Sequence, residues 1–351
     1  MGASRRFGSD EPFSPVWSLA QSLRWRRFHG LTASSAVLKL AEMPGAAVLD
    51  NGGDRQDHLY TNEVRRHGLL YARPADFPEA LRLLAEPDAR VLAGGTDLFP
   101  AADAGPLKGR FIDVTVLPEL RAIEVEDKRV RIGAAVTWSD LAKAPLPSAF
   151  DALKVAAREI GGVQIQNRAT LAGNLCNASP AADGVPPLLI LDAEVELISI
   201  RGRRRMPLGE FITGNRCTAL ERGEVMSAIL VPQPAPAARS SFLKLGARRY
   251  LVISIVMVAV FLDVVDGQVR TARVAAGSCS AAAKRLHDVE RKLQGAPARV
   301  GISERIAGED LAVLSPIDDV RATADYRRGA ALTIVRRAVD CCLKGEVGGV
   351  C

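Results

Sequence analysis

The stretch TLAGNLCNASPAAD, residues 170–183, combines small residues with two asparagines, a Ser-Pro step and an aspartate. Its letters follow neither a helical period nor the alternation of a strand, which predicts an irregular loop. Ala172 and Gly173 permit a close approach by another group, and Ser179-Pro180 predicts a fixed bend. Asp183 has two interpretations, a hydrogen-bond acceptor for a ligand or the cap of a following short helix. The segment therefore predicts a place where backbone and amide groups hold a ligand.

An earlier segment, VLAGGTDL at residues 91–98, has a similar composition. Gly94 and Gly95 lack Cβ atoms, so consecutive N–H groups can converge on an anion, and Thr96 adds a hydroxyl. A tight turn is the alternative interpretation of the Gly-Gly pair. Neither segment is a G-x-G-x-x-G before a helix or a G-x-x-x-x-G-K-[ST] loop, which disfavours a Rossmann or P-loop site. Two such segments brought together would suit the two phosphates of a dinucleotide.

Length and composition indicate a folded protein of two or three domains, because the 351 residues are 48% hydrophobic and 25% charged. The net charge of +6 is concentrated in arginine clusters, but aromatic residues are only 5% and lie apart from them. That pattern disfavours nucleic-acid binding, which combines basic groups with stacking aromatics. The arginines at 201–205 are interpreted as a hairpin tip, with a binding patch as the alternative.

The six cysteines form no C-x-x-C pair and no spacing with histidine that suits zinc. We therefore expect reduced thiols in a cytoplasmic protein, no metal site in this chain, and Cys176 as a small buried side chain. The apolar run Leu251–Leu262 is shorter than the roughly 20 residues that a membrane span needs. It is predicted to be a buried strand, so no membrane span is expected.

The chain divides into three parts by composition. Residues 1–69 lack a sustained period and are predicted to be an extension, either disordered or loosely attached, or the product of translation from an upstream start. Residues 70–235 mix short helices and strands, and QPAPAA at 233–238 is the best linker candidate. Residues 236–351 are predicted to form strands followed by helices. The fold class is therefore α+β, with a smaller second domain.

Apolar periodicity, caps and turn residues also predict the individual elements. Strands are predicted at 90–93, 111–115, 123–125, 130–132, 193–200, 225–231, 242–245, 255–264 and 269–276. Helices are predicted to begin at Asp76 and Thr137 and to span 148–160, 186–191, 281–293 and 321–343.

Three stretches in order, AGGTDL at 93–98, IGGVQIQNRATLAGNLCNASPAAD at 160–183 and KLGARRY at 244–250, resemble the FAD-binding medium subunit of the molybdenum hydroxylases. This is the family of xanthine, carbon monoxide and aldehyde dehydrogenases, and the resemblance extends over Tyr71–Leu343. It implies a split FAD-binding domain of the vanillyl-alcohol-oxidase (PCMH) type, with FAD between two subdomains. It also implies a small C-terminal domain with a three-stranded antiparallel sheet and helices.

The resemblance further implies which residues contact FAD. Residues 91–98, the first glycine segment, would surround the pyrophosphate. In the second glycine segment, residues 170–183, Thr170–Asn174 would bind phosphates and nearby ring atoms, and isolated positions would add flavin contacts. The implied set is Val91, Leu92, Ala93, Gly94, Gly95, Thr96, Asp97, Leu98, Ile160, Thr170, Leu171, Ala172, Gly173, Asn174, Asp183, Met226 and Lys244. No catalytic side chain and no metal ligand is implied. Ala172 stands where the family commonly has glycine, a change that a negative φ would tolerate.

The implied function is electron transfer. A molybdopterin-binding large subunit would hydroxylate the substrate, a [2Fe–2S] subunit would pass the electrons on, and this chain would deliver them through FAD to NAD or another acceptor. Arg248 and Arg249 would shape the field near the flavin, with surface salt bridges as the alternative. Two other functions stay open: a stand-alone FAD-dependent oxidoreductase, and a dinucleotide-binding protein without turnover. The first would need an acid or base over the flavin, yet none of the four histidines lies in the matched stretches.

Overall fold

The computed structural model describes residues 62–66, 69–102, 107–346 and 348–350. Most of the predicted N-terminal extension lies outside these ranges. The chain divides into two compact units, and the residues from His67 onward belong to the larger one. Strand β1 (Asn62–Arg66) contains residues of both units.

Strands that pair in parallel begin the larger unit. They are β2 (Leu69–Arg73), β3 (Ala89–Leu92) and β4 (Gly109–Asp113). Both β2 and β3 pair with β4. Helix α1 (Phe77–Ala85) connects β2 to β3, and Asp76 caps it as predicted by accepting from the N–H of Glu79 at 2.8 Å. The chain leaves β3 through the first glycine segment and enters the short helix α2 (Leu98–Ala101). The glycines therefore lie at the carboxyl end of a parallel strand.

A five-stranded antiparallel sheet follows, in the order β5-β6-β11-β7-β8. Its strands are β5 (Ile123–Val125), β6 (Arg129–Gly133), β7 (Glu194–Ser199), β8 (Gly202–Pro207) and β11 (Val225–Pro232). Strand β11 is the central strand of this sheet: it pairs on both sides, and its residues are buried almost throughout. Ser199 pairs with Gly202 across the β7–β8 turn, and Arg204 binds Glu224 at 2.7 Å. The hairpin interpretation of residues 201–205 is confirmed.

Short elements cover this sheet. They are α3 (Trp138–Lys143), α4 (Asp151–Glu159), α5 (Val163–Gln166), α6 (Leu171–Asn177), α7 (Val185–Ile190), α8 (Leu208–Phe211) and the paired strands β9 (Ile212–Gly214) and β10 (Cys217–Thr218). The predicted cap at Thr137 is a complete capping box, in which its hydroxyl accepts from the N–H of Asp140 at 3.1 Å. A 3₁₀ turn, Ser148–Phe150, precedes α4 where one helix is predicted. The buried side chains of α3, α4 and α6 share one apolar core with this sheet.

A second sheet dominates the C-terminal part, in the order β15-β14-β13-β12-β16. Its strands are β12 (Arg239–Leu245), β13 (Val256–Val265), β14 (Gln268–Gly277), β15 (Lys284–Arg285) and β16 (Gly348–Val350). The three long strands are antiparallel, which confirms the predicted sheet, and the two short strands extend its edges, β16 in parallel. Helices α9 (His287–Leu293) and α10 (Ala324–Lys344) pack on it with a separate core. The molecule is therefore an α+β protein.

Two predicted boundaries are wrong. The helix predicted at 281–293 begins only at His287, because β15 precedes it and pairs with β14. The apolar run Leu251–Leu262, predicted to be one strand, is a strand only from Val256, which agrees with the bounds 255–264 predicted from periodicity. Leu251 itself is 58% exposed and belongs to a loop, so the length of the apolar run overstated the strand.

No helix within the described ranges is both long enough and apolar enough to cross a membrane. The same ranges contain no group of three or more His, Cys, Asp or Glu side chains arranged to hold a metal ion. Cys176, Cys217, Cys279 and Cys342 are free thiols.

Candidate functional site

The stretch 170–183 contains a regular helix, α6, which corrects the prediction of an irregular loop. Thr170 caps the helix, since its hydroxyl accepts from the N–H of Gly173 at 3.0 Å. Ala178 ends it in the left-handed conformation, with φ 46°. Threonine before small and apolar residues, with Pro180 shortly after the last turn, is a helix signal that the sequence interpretation missed.

The Ser179-Pro180 step forms the predicted bend. The carbonyl of Ser179 accepts from the N–H of Ala182 at 3.0 Å, and its hydroxyl accepts from the N–H of Ala181 at 3.3 Å. The carbonyl of Pro180 accepts from the N–H of Ser278 at 3.0 Å, just after β14. The bend thus links the second glycine segment to the C-terminal sheet.

At Gly94 the first glycine segment lies against the backbone that leads into the second one. A Cβ atom added to Gly94 would lie 2.0 Å from the carbonyl oxygen of Arg168 and 2.8 Å from Cα of Ala169. No side chain fits such a gap, so glycine is required here by close backbone approach. Gly95 has φ 71°, which also favours glycine. The first glycine segment therefore combines a tight turn at Gly95 with a close backbone approach at Gly94. It meets the chain just before the second glycine segment, as a dinucleotide site requires.

The backbone from Gly94 to Leu98 forms what we call the donor loop. None of its five N–H groups donates a hydrogen bond to an acceptor in the described part of the chain, and neither does the Thr96 hydroxyl. Asp97 occupies the cap position of α2 without a side-chain capping bond. Consecutive N–H groups that no described residue accepts from, beside a close backbone contact, suit an anionic ligand such as a pyrophosphate. Val91 and Leu92 end β3 and Ala93 leads into this loop.

Asn174 provides a second unmet hydrogen-bonding group. Its side-chain oxygen is buried and has no hydrogen-bond partner among the described residues. A Cβ atom added to Gly184 would lie 2.9 Å from this oxygen and 2.6 Å from the Trp138 ring, so only glycine leaves space beside it. A buried acceptor without a partner costs free energy unless a ligand or water supplies a donor. The residue therefore fits a cofactor with N–H or O–H groups, as the resemblance implies.

Asp183, Lys244 and Ser254 form what we call the carboxylate cluster. The Lys244 Nζ donates to one oxygen of Asp183 at 2.6 Å, and the Ser254 hydroxyl donates to the other oxygen at 2.6 Å. The three residues are 6%, 2% and 2% exposed. The alternative role of Asp183 as a helix cap is wrong, because Gly184 is the cap residue of α7 and no side chain caps that helix. Ser254 was not anticipated; its only sequence signal is a hydroxyl at the start of an apolar run.

Burial controls the ionisation of these groups. Burial raises the pKa of Asp183, while the Lys244 ammonium and the hydrogen bonds from Lys244 and Ser254 oppose that rise. Burial also raises the pKa of Glu159, whose carbonyl lies 3.4 Å from the Lys244 Nζ at the end of α4. The carbonyl end of a helix attracts a cation, so Lys244 is held by Asp183 and by α4 together.

Two further predicted contacts have different surroundings. Ile160 directly follows α4 and is partly buried, and its carbonyl accepts from the Gln166 side chain at 3.0 Å. This places it beside Glu159 and hence near Lys244. Met226 is 3% exposed within β11 and belongs to the core that also contains the buried residues of α6. The structure therefore brings Ile160 close to Lys244 and buries Met226 in the core.

The loop 246–253 joins the site from the C-terminal sheet. The Arg248 guanidinium donates to the carbonyl of Leu251 at 2.6 Å, and the Arg249 guanidinium lies 5.4 Å from the centre of the Tyr250 ring. Neither arginine forms a salt bridge with a described carboxylate, so the salt-bridge alternative is not supported. A Cβ atom added to Gly162 would lie 3.5 Å from Leu251, so this loop lies beside the residue that precedes α5.

Cys176 is the one reactive group within α6. It is partly exposed by surface area, but burial of the thiol raises its pKa to about 12. A thiol that stays protonated is a poor nucleophile and a poor metal ligand. Cys176 therefore acts as a small packing residue, as predicted.

Comparison with known proteins identifies the family of the chain. The FAD binding domain in molybdopterin dehydrogenase matches residues 62–234, and the CO dehydrogenase flavoprotein C-terminal domain matches residues 241–342. The chain is 33% identical over 275 residues to the xanthine dehydrogenase FAD-binding subunit of Escherichia coli O157:H7, covering 77% of this chain and 94% of that subunit. It is 31% identical over 279 residues to the carbon monoxide dehydrogenase medium chain of Hydrogenophaga pseudoflava, covering 77% and 95%.

A solved structure shares the fold over the same extent. Reconstituted CO dehydrogenase from Oligotropha carboxidovorans aligns with a TM-score of 0.74 and 26% identity over 78% of this chain and 97% of the matched chain. Matches of this extent to both domains, and to relatives above 30% identity along almost their whole length, establish the family. The chain belongs to the FAD-binding medium subunits of the molybdenum hydroxylases, the xanthine and carbon monoxide dehydrogenase family, and its cofactor is FAD.

Proposed function

We propose that this chain is the electron-transfer subunit of a multi-subunit molybdenum hydroxylase. It would take electrons from a [2Fe–2S] partner subunit, itself supplied by a molybdopterin-binding large subunit, and pass them to NAD or another acceptor. The names of its relatives, an FAD-binding subunit and a medium chain, support a heteromeric assembly. The observation that carries the proposal is the donor loop: its N–H groups have no acceptor among the described residues, and its Gly94 lies against the backbone of Arg168.

The residues would share the binding of FAD in a defined way. The donor loop, Gly94–Leu98, would hold the pyrophosphate through backbone N–H groups and the Thr96 hydroxyl. Thr170–Asn174 would approach the phosphates and ring atoms, with the orphan oxygen of Asn174 accepting a hydrogen bond. FAD supplies the redox chemistry when bound, and the chain supplies binding, orientation and charge.

The remaining contacts would surround the flavin ring. Lys244 uses two of its three N–H donors on Asp183 and on the carbonyl of Glu159, so one donor is left for the cofactor. Ile160 would provide an apolar contact at the same edge. Met226 would act from the core behind these groups.

The proposal includes the division and location of the protein. We place the domain boundary near residue 236, so that residues 70–235 bind FAD and residues 236–351 form the second domain. The two family matches, which end at residue 234 and begin at residue 241, support that boundary. Free thiols at Cys176, Cys217, Cys279 and Cys342 support a reducing, cytoplasmic location.

The first test is an FAD titration of the full chain with Gly94→Val. The added side chain would push the donor loop away from the carbonyl of Arg168, so we expect FAD affinity to fall about 100-fold, equivalent to ~3 kcal/mol. Gly308→Val is the matched control, because a Cβ atom there meets nothing within 4 Å. Equal FAD affinity in both variants would contradict the proposed site.

The second test addresses electron transfer. The FAD-loaded chain is reduced chemically, and NAD is added while the visible absorbance of the flavin is followed. Rapid reoxidation by NAD supports NAD as the acceptor, whereas no reoxidation by NAD contradicts that part of the proposal. Turnover of a small substrate by the chain alone would favour a stand-alone oxidoreductase, and failure of a co-purified iron–sulfur subunit to reduce the flavin would favour binding without turnover.

A further inference from the structure

Ser254 is a buried polar residue that packing does not explain. It comes immediately before the apolar residues that lead into β13, and it is 2% exposed. Alanine would fill a similar space there without a hydroxyl to desolvate. A buried hydroxyl is unfavourable unless it makes a hydrogen bond, and the bond that Ser254 makes is to Asp183. The function of Ser254 must therefore be found in that carboxylate.

The hydroxyl of Ser254 donates to the carboxylate oxygen of Asp183 that Lys244 leaves free. One carboxylate oxygen accepts from Lys244 and the other accepts from Ser254, each at 2.6 Å. The donors are 61 and 71 residues away from Asp183 in sequence, and they stand at the two ends of the loop 246–253. Two bonds to two oxygens fix both the position and the rotation of a carboxylate, whereas one bond fixes only its position.

The position of Lys244 depends on that carboxylate. Its ammonium group donates to Asp183 at 2.6 Å and, more weakly, to the carbonyl of Glu159 at 3.4 Å. A lysine side chain has many rotamers, so a fixed anion beside it decides where the charge is held. Rotation of the Asp183 carboxylate would therefore displace the ammonium group as well.

We propose that Ser254 is a positioning residue for the flavin, which holds the Asp183 carboxylate in its charged form and thereby fixes the Lys244 ammonium beside FAD. This inference rests on the proposed function, in which Lys244 contacts the cofactor. Ser254 acts through Asp183 and touches no electron carrier itself. The hydroxyl donates to the charged form of the carboxylate and so favours that form over the protonated one.

The charges around Asp183 define how the cluster titrates. Lys244 on β12 is its direct partner, Glu159 at the end of α4 interacts with both, and Arg249 in the loop 246–253 interacts with Glu159. Burial raises the pKa of Asp183 and the hydrogen bond from Ser254 lowers it. Removal of the hydroxyl would therefore raise the pKa further. The carboxylate would then lose its charge at a higher pH than in the wild type, and the net charge beside FAD would change with it.

The experiment measures the reduction potential of FAD bound to the full chain as a function of pH, over the range in which the chain stays folded. In Ser254→Ala we expect the inflection caused by Asp183 to move upward by about one pH unit, a tenfold change in its protonation equilibrium. Ser254→Thr keeps the hydroxyl and should restore the wild-type profile. Asp183→Asn should lack the inflection, and Glu159→Gln should keep it, which separates the two carboxyl groups.

The outcomes are distinguishable. An unshifted profile in Ser254→Ala, or a shift that Ser254→Thr does not reverse, would overturn the positioning role while leaving FAD binding intact. A wild-type chain that binds no FAD would instead overturn the proposed function as well. If circular dichroism shows that Ser254→Ala is unfolded, Ser254→Cys replaces it, because a thiol of similar size is a weaker donor and should give a smaller shift in the same direction.

Discussion

The donor loop and the carboxylate cluster differ in how far their own chain satisfies them. The five N–H groups of Gly94–Leu98 have no acceptor within the described residues. Both oxygens of Asp183 have a donor, and the three residues of the cluster are almost fully buried. One region is thus prepared for a ligand, whereas the carboxylate of the other is already satisfied by its own chain.

This difference predicts two kinds of response to substitution. A hydrogen-bonding group without a partner in its own chain contributes little to the free energy of unfolding of the cofactor-free protein. Its removal should therefore lower FAD affinity alone. A buried pair contributes to the fold itself, and loss of one partner leaves the other charge uncompensated. Measuring stability and affinity separately therefore tests the distinction.

The largest expected effect is on the cluster. Lys244→Met keeps the volume of the side chain but leaves Asp183 buried without its cation, so the free energy of unfolding should fall by about 3 kcal/mol. Urea unfolding of the cofactor-free protein measures this. Lys284→Met, at an exposed position in β15, is the control and should change the value by less than about 0.5 kcal/mol. An equal, small loss in both variants would show that the cluster is not a structural pair.

A smaller effect is expected in the donor loop. Thr96→Val removes a hydroxyl without a partner in the described chain, so the stability of the cofactor-free protein should stay within about 0.5 kcal/mol of the wild type. FAD affinity should fall about fivefold, as expected for one lost hydrogen bond of ~1 kcal/mol. Thr213→Val, at an exposed position in β9, should leave both quantities unchanged. Destabilisation of the cofactor-free protein would remove the contrast between the two regions.

The smallest expected effect is on the pH dependence of stability, where Asp183 can be compared with Asp319. Burial raises the pKa of Asp183, so the folded state holds the proton longer and the free energy of unfolding falls as pH rises above 3.8. For Asp319, hydrogen bonds from the N–H of Arg321 and from Arg327 outweigh burial and lower the pKa to about 2. Its contribution is therefore lost as pH falls from 3.8 towards 2.

Urea midpoints measured across this pH range check both signs. Asp183→Asn should reduce the fall in the free energy of unfolding as pH rises. Asp319→Asn should reduce the fall in the free energy of unfolding as pH decreases. The same slope in both variants would mean that neither carboxyl group has the stated shift.

The elements with local signals were predictable from the sequence. Asp76 and Thr137 mark helix starts, and the structure confirms both caps. Asp266-Gly267 supplies two positive φ values, 51° and 72°, which suit the tight turn between β13 and β14. The apolar run from Leu251 misled because its first residues are exposed in a loop, a property that depends on neighbours distant in sequence.

The site divides in the same way. Glycines and other small residues marked both segments in the sequence, because they permit close backbone approach. Helix α6 was predicted as a loop because the capping role of Thr170 was overlooked. Asp183 and Lys244 were identified through the resemblance, and their pairing with each other was not predicted. Ser254 was missed because a single serine carries no periodic or spacing signal.

The sequence by itself determined the α+β class, the two glycine segments and the family, because backbone conformation and family motifs are encoded locally. Only the tertiary structure decided that Gly94 touches Arg168 and that one carboxylate joins Lys244 to Ser254. Those contacts connect residues far apart in the chain, and their energies depend on burial, which exists only once the sheets have packed.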